Sequence, residues 1–243
     1  MTTREDSSIK TESLKGEDIP QETEGLLVSL DDYLSNGIHV GLKYRTKDMM
    51  PFIYKVRPDK LCVFDVQKID ERIQIGAQLI SRYDPKDVLI VSNRVYGRTP
   101  IKKFGEYTGC KVLTRRLVSG TLTNPNIEDY IEPKLLVITD PTADQQAIKE
   151  ASNAGIPVMA ICDTNSRVKN IDFIIPSNNK GKNALALIYW ILTREVLKVQ
   201  GKGGDFNPPL EEFISKAEPQ PYILSQQEQQ RLRRQKNRRR RRR

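Results

Sequence analysis

Asp65, Asp140 and Asp163 each stand directly after a short apolar run, and Asn93, Thr164, Asn165, Asn178 and Asn179 occupy comparable positions. Three carboxylates brought to one edge of a sheet could hold Mg²⁺ for phosphoryl transfer. Aspartate and asparagine also end strands and cap the helix that follows, the role expected of Asp144. No lysine, serine nucleophile or second histidine completes a catalytic set around them. The strand-end reading is therefore preferred, and a magnesium-dependent phosphotransferase or hydrolase on a doubly wound fold stays as the alternative.

The run Pro176-Ser177-Asn178-Asn179-Lys180-Gly181-Lys182-Asn183 nearly spells a phosphate-binding P-loop. It has Pro176 for the first glycine and Asn183 for the terminal Ser/Thr, so both the phosphate cradle and the magnesium hydroxyl are missing. What remains is a helix N-terminus with two lysines, suited to a phosphate of a nucleic-acid backbone as well as to a nucleotide. No GxGxxG follows Val66, where a dinucleotide fold would need one. His39, the single histidine, is flanked by apolar residues and reads as structural. Cys62, Cys110 and Cys162 lie about fifty residues apart without CxxC spacing, as expected of reduced thiols in a core. No metal and no cofactor are assigned.

Short apolar runs alternating with helical stretches must position these groups. Leu61–Val66, Val88–Val91, Lys111–Leu113, Leu135–Thr139, Ile156–Cys162 and Phe173–Ile175 read as strands. Asp70–Arg82, with Ile73, Ile75, Leu79 and Ile80, reads as a covering helix. Thr99-Pro100 predicts the start of a second helix stopping near Gly109, Asp144–Ala154 a third ending at Gly155, and Asn183–Val199 a long apolar fourth. Strands apolar on both faces and separated by helices predict an α/β fold, a doubly wound, mostly parallel sheet with helices on both faces, flavodoxin-like or Rossmann-like. Ligands of such sheets bind where the strand C-termini gather.

Charge is unevenly distributed over the 243 residues. The formal net charge of +9 is matched by the residues from Gln226 onward, which end in Arg238, Arg239, Arg240, Arg241, Arg242 and Arg243. Adjacent guanidinium groups repel unless anions neutralise them, which points to a polyanion; neutralising roughly six phosphates on single-stranded RNA would give a log–log salt slope of about −4. An import address and a solvated tail are the other readings of such a run. Residues 1–25 are acidic without apolar periodicity and read as a disordered arm. One domain is expected over 26–201, an extended Pro-containing segment over 202–225 and a basic tail over 226–243. With 37% hydrophobic residues, no long apolar span and no signal-peptide core, the chain reads as soluble and cytoplasmic, with no membrane partner. Lys43, Tyr44, Arg45 and Lys47 interleave cations with an aromatic ring, a pattern that binds phosphate and stacks on a base.

Several strings are more specific. GIHVGLKYRTKDMMPFIYKVRPDKLCVFDVQKI (37–69), GTLTNP (120–125), PKLLVITDP (133–141), AIKEASNAGIPVMAICDTN (147–165) and IDFIIPSNNKGKNALALIYW (171–190) occur in this order. Together they resemble the S-two family of small-subunit ribosomal proteins, which includes the eukaryotic laminin-receptor-like ribosomal protein. Only Pro125–Glu132 separates GTLTN from the next strand, where bacterial members insert a long helical hairpin, so the resemblance is to the archaeal and eukaryotic branch. Arg116–Gly120 reads RLVSG where an Arg-Phe-x-Pro-Gly string is expected, and eukaryotic relatives are acidic at the C-terminus where this chain is basic.

The resemblance implies a structural, non-enzymatic constituent of the small ribosomal subunit. Its partners would be 16S-type rRNA and neighbouring small-subunit proteins, with no small-molecule substrate. The expected RNA contacts are Lys43, Arg45 and Lys47; Arg94 and Arg98; Arg115 and Arg116; Thr121, Thr123 and Asn124; Asn179, Lys180 and Lys182; and the terminal arginines. Phosphate contacts of this kind fix position on folded RNA without reading its sequence.

Overall fold

The computed structural model of the chain describes residues 25–217; the acidic arm, up to its last residue, and the arginine tail lie outside the described residues. Five parallel strands make the main sheet: β3 (Val88–Val91), β4 (Lys111–Leu113), β5 (Leu135–Ile138), β6 (Val158–Cys162) and β7 (Phe173–Pro176), in the order β4-β3-β5-β6-β7. Every residue of β3, β5 and β6 is buried, which is why these runs are apolar without alternation. The helices are α1 (Leu30–Ser35), α2 (Val66–Ser81), α3 (Val95–Thr108), α4 (Gln145–Ala154) and α5 (Lys182–Val199). α5 packs between α2 and α3, whereas α4 packs on β6. The units β3-α3-β4 and β5-α4-β6 run in opposite directions from the centre, so right-handed crossovers put α3 and α4 on opposite faces. The doubly wound α/β class predicted from the strand pattern is what the chain adopts.

Three elements differ from the sequence expectation. The apolar run after Lys60 does not join the parallel sheet: β2 (Cys62–Phe64) pairs antiparallel with β1 (Ile53–Val56) in a separate two-stranded ribbon. The turn that folds it back has Lys60 at φ 68°, with Lys60 N donating to Arg57 O at 2.9 Å and Arg57 N to Leu61 O at 2.8 Å. Its other edge is taken by residues 39–42, with Gly41 N donating to Cys62 O at 2.9 Å and Phe64 N to His39 O at 2.8 Å, so neither edge is left for the parallel sheet. The second helix begins at Val95 instead of Pro100, which lies buried inside it; its ring removes only the bond that Tyr96 O would accept in the second turn. The segment after Gly201 is not simply extended. It makes 3₁₀ turns at Gly203–Asp205 and Leu210–Glu212, and its Phe213 is fully buried, stacked with Tyr107 of α3 at 6.1 Å between ring centroids. Trp190 Nε1 donates to Pro208 O at 2.9 Å and holds the segment on α5.

Two buried carboxylates, each set in the apolar stripe of its helix, tie loops to this frame. Asp70 of α2 accepts from Tyr33 Oη at 2.6 Å, Leu27 N at 3.0 Å and Gln74 Nε2 at 3.1 Å. Burial and this hydrogen bond push the Tyr33 phenol well above its ordinary range. Glu150 of α4 accepts from Gly120 N at 2.9 Å, Leu122 N at 3.2 Å and Gln146 Nε2 at 2.7 Å. The turn in place of the expected Arg-Phe-x-Pro-Gly string is thus closed without a proline. Gly120 takes φ +96°, and a Cβ there would fall 2.7 Å from Ile127 Cδ1. The three cysteines are free and buried, and burial pushes the Cys110 and Cys162 thiols up, away from reactive thiolate.

Candidate nucleic-acid interface

The C-terminal ends of the parallel strands gather Asn93, Arg94, Asp140, Asp144, Asp163, Thr164 and the 177–181 loop. A ligand of a doubly wound sheet would enter where the strand order reverses, here between β3 and β5. That point is filled by the chain's own side chains. Arg94 pairs with the buried carboxylate of Asp140 through Nε and Nη2, Asp140 Oδ1 accepts from Thr142 N at 2.9 Å, and Asp144 accepts from Asn93 N at 3.3 Å. Asp144 occupies the N-cap position of α4 but makes no capping bond with its side chain, so the capping role expected of it is replaced by this bond across to the β3 loop.

The other two aspartates are engaged as well. Asp163 is 3.1 Å from Lys180 Nζ, and Asp65 caps α2 by accepting from Gln67 N at 3.1 Å. Among the described residues no group of histidine, cysteine or carboxylate side chains is arranged to hold a metal ion. The carboxylates proposed for the phosphotransferase alternative serve as strand-end and cap residues.

Burial, with a smaller push from Asp140, raises the Asp144 carboxyl to about 6, against the lowering effects of Asn93 N–H and Arg94. Between the ordinary aspartate value and 6 the folded chain therefore holds a proton that the unfolded chain releases. Stability from this group is complete below the unfolded value and lost as pH rises through 6. Asp144→Asn keeps an acceptor for Asn93 N–H without the charge, and it is expected to stabilise the fold at pH 8 by on the order of 1–3 kcal/mol. At pH 4 it should change little. Denaturant unfolding at both pH values checks this; an equal effect at both would refute it.

The phosphate-loop likeness at 176–183 also resolves into internal bonding. Asn178 Oδ1 accepts from Lys180 N and Gly181 N, both at 3.0 Å, which takes two loop amides away from an anion, although no side chain caps the N-terminus of α5 itself. Asn178 Nδ2 donates to Gly37 O at 3.2 Å. Asn179 is fully buried and donates to Ile161 O at 3.1 Å, so it has no surface to offer RNA. Lys180 is held by Asp163 and Asn165. Lys182 remains half-buried and unpaired among the described residues.

The loop carrying Lys43, Arg45 and Lys47 is the opposite case, since its backbone is fixed and its charges are free. Leu42 N donates to Thr164 Oγ1 at 3.0 Å, Thr164 Oγ1 donates to Tyr44 O at 2.8 Å, and Thr46 N donates to Thr164 O at 2.9 Å. Gly41 makes the approach possible, because a Cβ there would collide with Thr164 Cγ2 and lie 3.1 Å from Cys62 O. Lys43, Arg45 and Lys47 are exposed with no ion pair among the described residues. Tyr44 between them is 81% exposed, as a ring available for stacking would be. Thr164, which ties this loop to the end of β6, was visible in the sequence only as one more polar strand end.

The remaining expected contacts divide in the same way. Arg98 and Arg116 are exposed and unpaired among the described residues, whereas Arg115 meets Asp129 at 3.1 Å on the surface. Thr123 and Asn124 are exposed. Thr121 is buried, with Oγ1 donating to Val118 O at 2.9 Å, and serves the turn instead of the surface. Arg238 to Arg243 lie outside the described residues.

Comparison with known proteins gives this arrangement its setting. The family described as Ribosomal protein S2 matches residues 128–198, from the approach to β5 through α5. A small ribosomal subunit protein uS2 from Staphylothermus marinus is 49% identical over 194 residues, 79% of this chain and 88% of the relative. The chain belongs to the uS2 family of ribosomal proteins. Two further uS2 proteins, from Thermofilum pendens and Saccharolobus solfataricus, are also 49% identical, covering 79% and 77% of this chain and 91% and 83% of their own lengths. The archaeal-type assignment made from the short 125–132 connection agrees with these relatives. The uS2 family consists of structural ribosomal proteins, not enzymes, in keeping with a strand edge whose carboxylates are all engaged internally.

Proposed function

We propose that this chain is a structural constituent of the small ribosomal subunit in the cytoplasm, bound to 16S-type rRNA and to neighbouring small-subunit proteins, supporting subunit assembly and translation. The observation that carries the reading is the loop at 42–47, whose unpaired cations and exposed tyrosine stand on a backbone clamped by Thr164. A rigid backbone presenting free charge gives phosphate contacts whose ordering cost is confined to the side chains. Arg98, Arg116, Thr123, Asn124 and Lys182 extend the contact set, and Arg94, Arg115 and Lys180 contribute only where RNA phosphate displaces their carboxylate partners. No helix among the described residues is long and apolar enough to cross a membrane.

The arginine tail is an accessory anchor on this reading. Deleting residues 238–243 should lower rRNA affinity and make the salt slope shallower by about 4 if all six charges meet phosphate, while the unfolding midpoint stays unchanged. Sucrose-gradient sedimentation of a cell lysate carrying the tagged full chain tests the whole assignment. The chain is expected in the small-subunit fractions, and finding it only at the top of the gradient would sink the proposal.

A further inference from the structure

A crevice of about 700 Å³ opens at the same strand edge, between the loop after β5 and the loop after β6. Its size suits a group of small-molecule dimensions, which needs roughly 300–1,000 Å³. Pro141 and Ile148 line its apolar floor, each keeping only a small part of its surface exposed, 7% for Ile148. Lys149, Arg167 and Lys169 stand around it, all exposed and without an ion pair among the described residues. No carboxylate lines it; the nearby Asp140 and Asp163 are already matched by Arg94 and Lys180. Thr142 and Asn165 also line it, Asn165 accepting from Lys180 Nζ at 3.3 Å; the amides of Gln145 and Asn170 stand beside them, Asn170 being held at φ 62° in the left-handed region that asparagine tolerates. Thr46 Oγ1 donates to Ser166 O at 3.0 Å, which joins the cationic 42–47 loop directly to the loop that forms the crevice.

Free cations, an apolar floor and neutral amides match three parts of one ligand class. Cations neutralise phosphate, the floor accepts the face of a base, and amides pair with a base edge, as in recognition of splayed-out single-stranded RNA. We infer that this crevice receives one unstacked nucleotide of the rRNA, with its flanking phosphates on Lys149, Arg167 and Lys169 and its base against Pro141 and Ile148. Gln145 and Asn170 bond the base edge. The inference rests on the rRNA-binding reading above and adds a site that the expected contacts did not include. An acidic protein segment is the competing occupant, and the protection readout below separates the two.

The test uses the full chain and a 16S-type rRNA transcript, with affinity measured across a salt series and nucleotide reactivity mapped by chemical probing. Lys149→Gln/Arg167→Gln/Lys169→Gln should make the log–log salt slope shallower by about 2. Gln145→Ala/Asn170→Gly should lower affinity about tenfold with the slope unchanged and expose one nucleotide that the unaltered chain protects. If the cation variant shifts the slope but the amide variant leaves both affinity and protection intact, the crevice is only a phosphate rim and the nucleotide site is wrong. Unchanged rRNA binding by both variants would also overturn it, and if the cation variant then binds poly-glutamate more weakly than the unaltered chain the occupant is an acidic protein segment. Failure of the unaltered chain to bind rRNA at all would instead remove the underlying reading, and the inference with it.

Discussion

Replacing Lys43, Arg45 and Lys47 together by glutamine lowers affinity for 16S-type rRNA roughly 10- to 100-fold near 0.15 M salt and makes the log–log salt slope shallower by about 2. The expectation follows from two facts acting together. The three side chains are exposed and unpaired among the described residues, so removing them breaks no internal ion pair and the fold should keep its unfolding midpoint. Their backbone is fixed through Thr164, by hydrogen bonds of 2.8–3.0 Å to Tyr44, Thr46 and Leu42, so little ordering cost accompanies each contact. Thr164→Val separates the two contributions. It keeps all three charges but removes the hydroxyl that holds Leu42 N–H and Tyr44 O, so affinity should fall while the slope stays the same. Salt-series binding on both variants is the check. A triple variant with the original slope would mean that these cations face solvent in the complex.

Asp70→Ala should destabilise the fold by roughly 3–5 kcal/mol, because it leaves the buried Tyr33 hydroxyl and Leu27 N–H without an acceptor. For a chain of this size that corresponds to a fall of roughly 6–20 °C in the unfolding midpoint. The effect is larger than for a surface carboxylate because Asp70 is 4% exposed and Tyr33 fully buried. Tyr33→Phe in the same background should recover part of the loss, since one orphaned group disappears. Thermal unfolding of the single and double variants measures both. A loss below about 1 kcal/mol would mean that water replaces the carboxylate at no cost, contrary to the packing around it. The consequence reaches the 42–47 loop, because α1 and the Gly37–Gly41 turn that feed it begin at this anchor.

The sequence revealed most clearly the elements whose pattern has a single physical explanation. Val88–Val91 appears at the expected bounds, and β5 and β6 nearly so, because an uninterrupted apolar run of four or five residues ended by a polar one favours a buried parallel strand. Cys62–Phe64 has the same local pattern and a different fate. Its pairing is decided by the Arg57–Leu61 turn and by Ile53–Val56, which alternates too weakly to stand out. Pro100 misplaced a helix start because the rule that proline opens helices holds for the first turn and is silent on a proline tolerated in the second.

At the site, charge type could be read from the chain but charge partnership could not. Lys43 and Lys180 look alike in the sequence, yet one stands free and the other meets Asp163 across seventeen residues. Asn179 lies in a polar string and is nevertheless buried, because the string turns inward between β7 and α5. Asp70 and Glu150 did leave a signal, since each is a carboxylate inside an i, i+3, i+4 apolar stripe, and such a residue must find donors when its helix packs. Lys149, Arg167 and Lys169 gave none, since only the fold brings a residue of α4 beside the loop after β6.

The edge formed by the C-terminal ends of the parallel strands is expected to face rRNA in the intact subunit. Protein–RNA crosslinking of purified small subunits, with crosslinked peptides mapped along this chain, tests it most directly. Crosslinks are predicted at 43–47, 94–98 and 165–170, with Lys86 and Lys134 at the opposite strand ends free of them. Crosslinks confined to Lys86, Lys134 and their neighbours would mean that the opposite strand ends face the RNA.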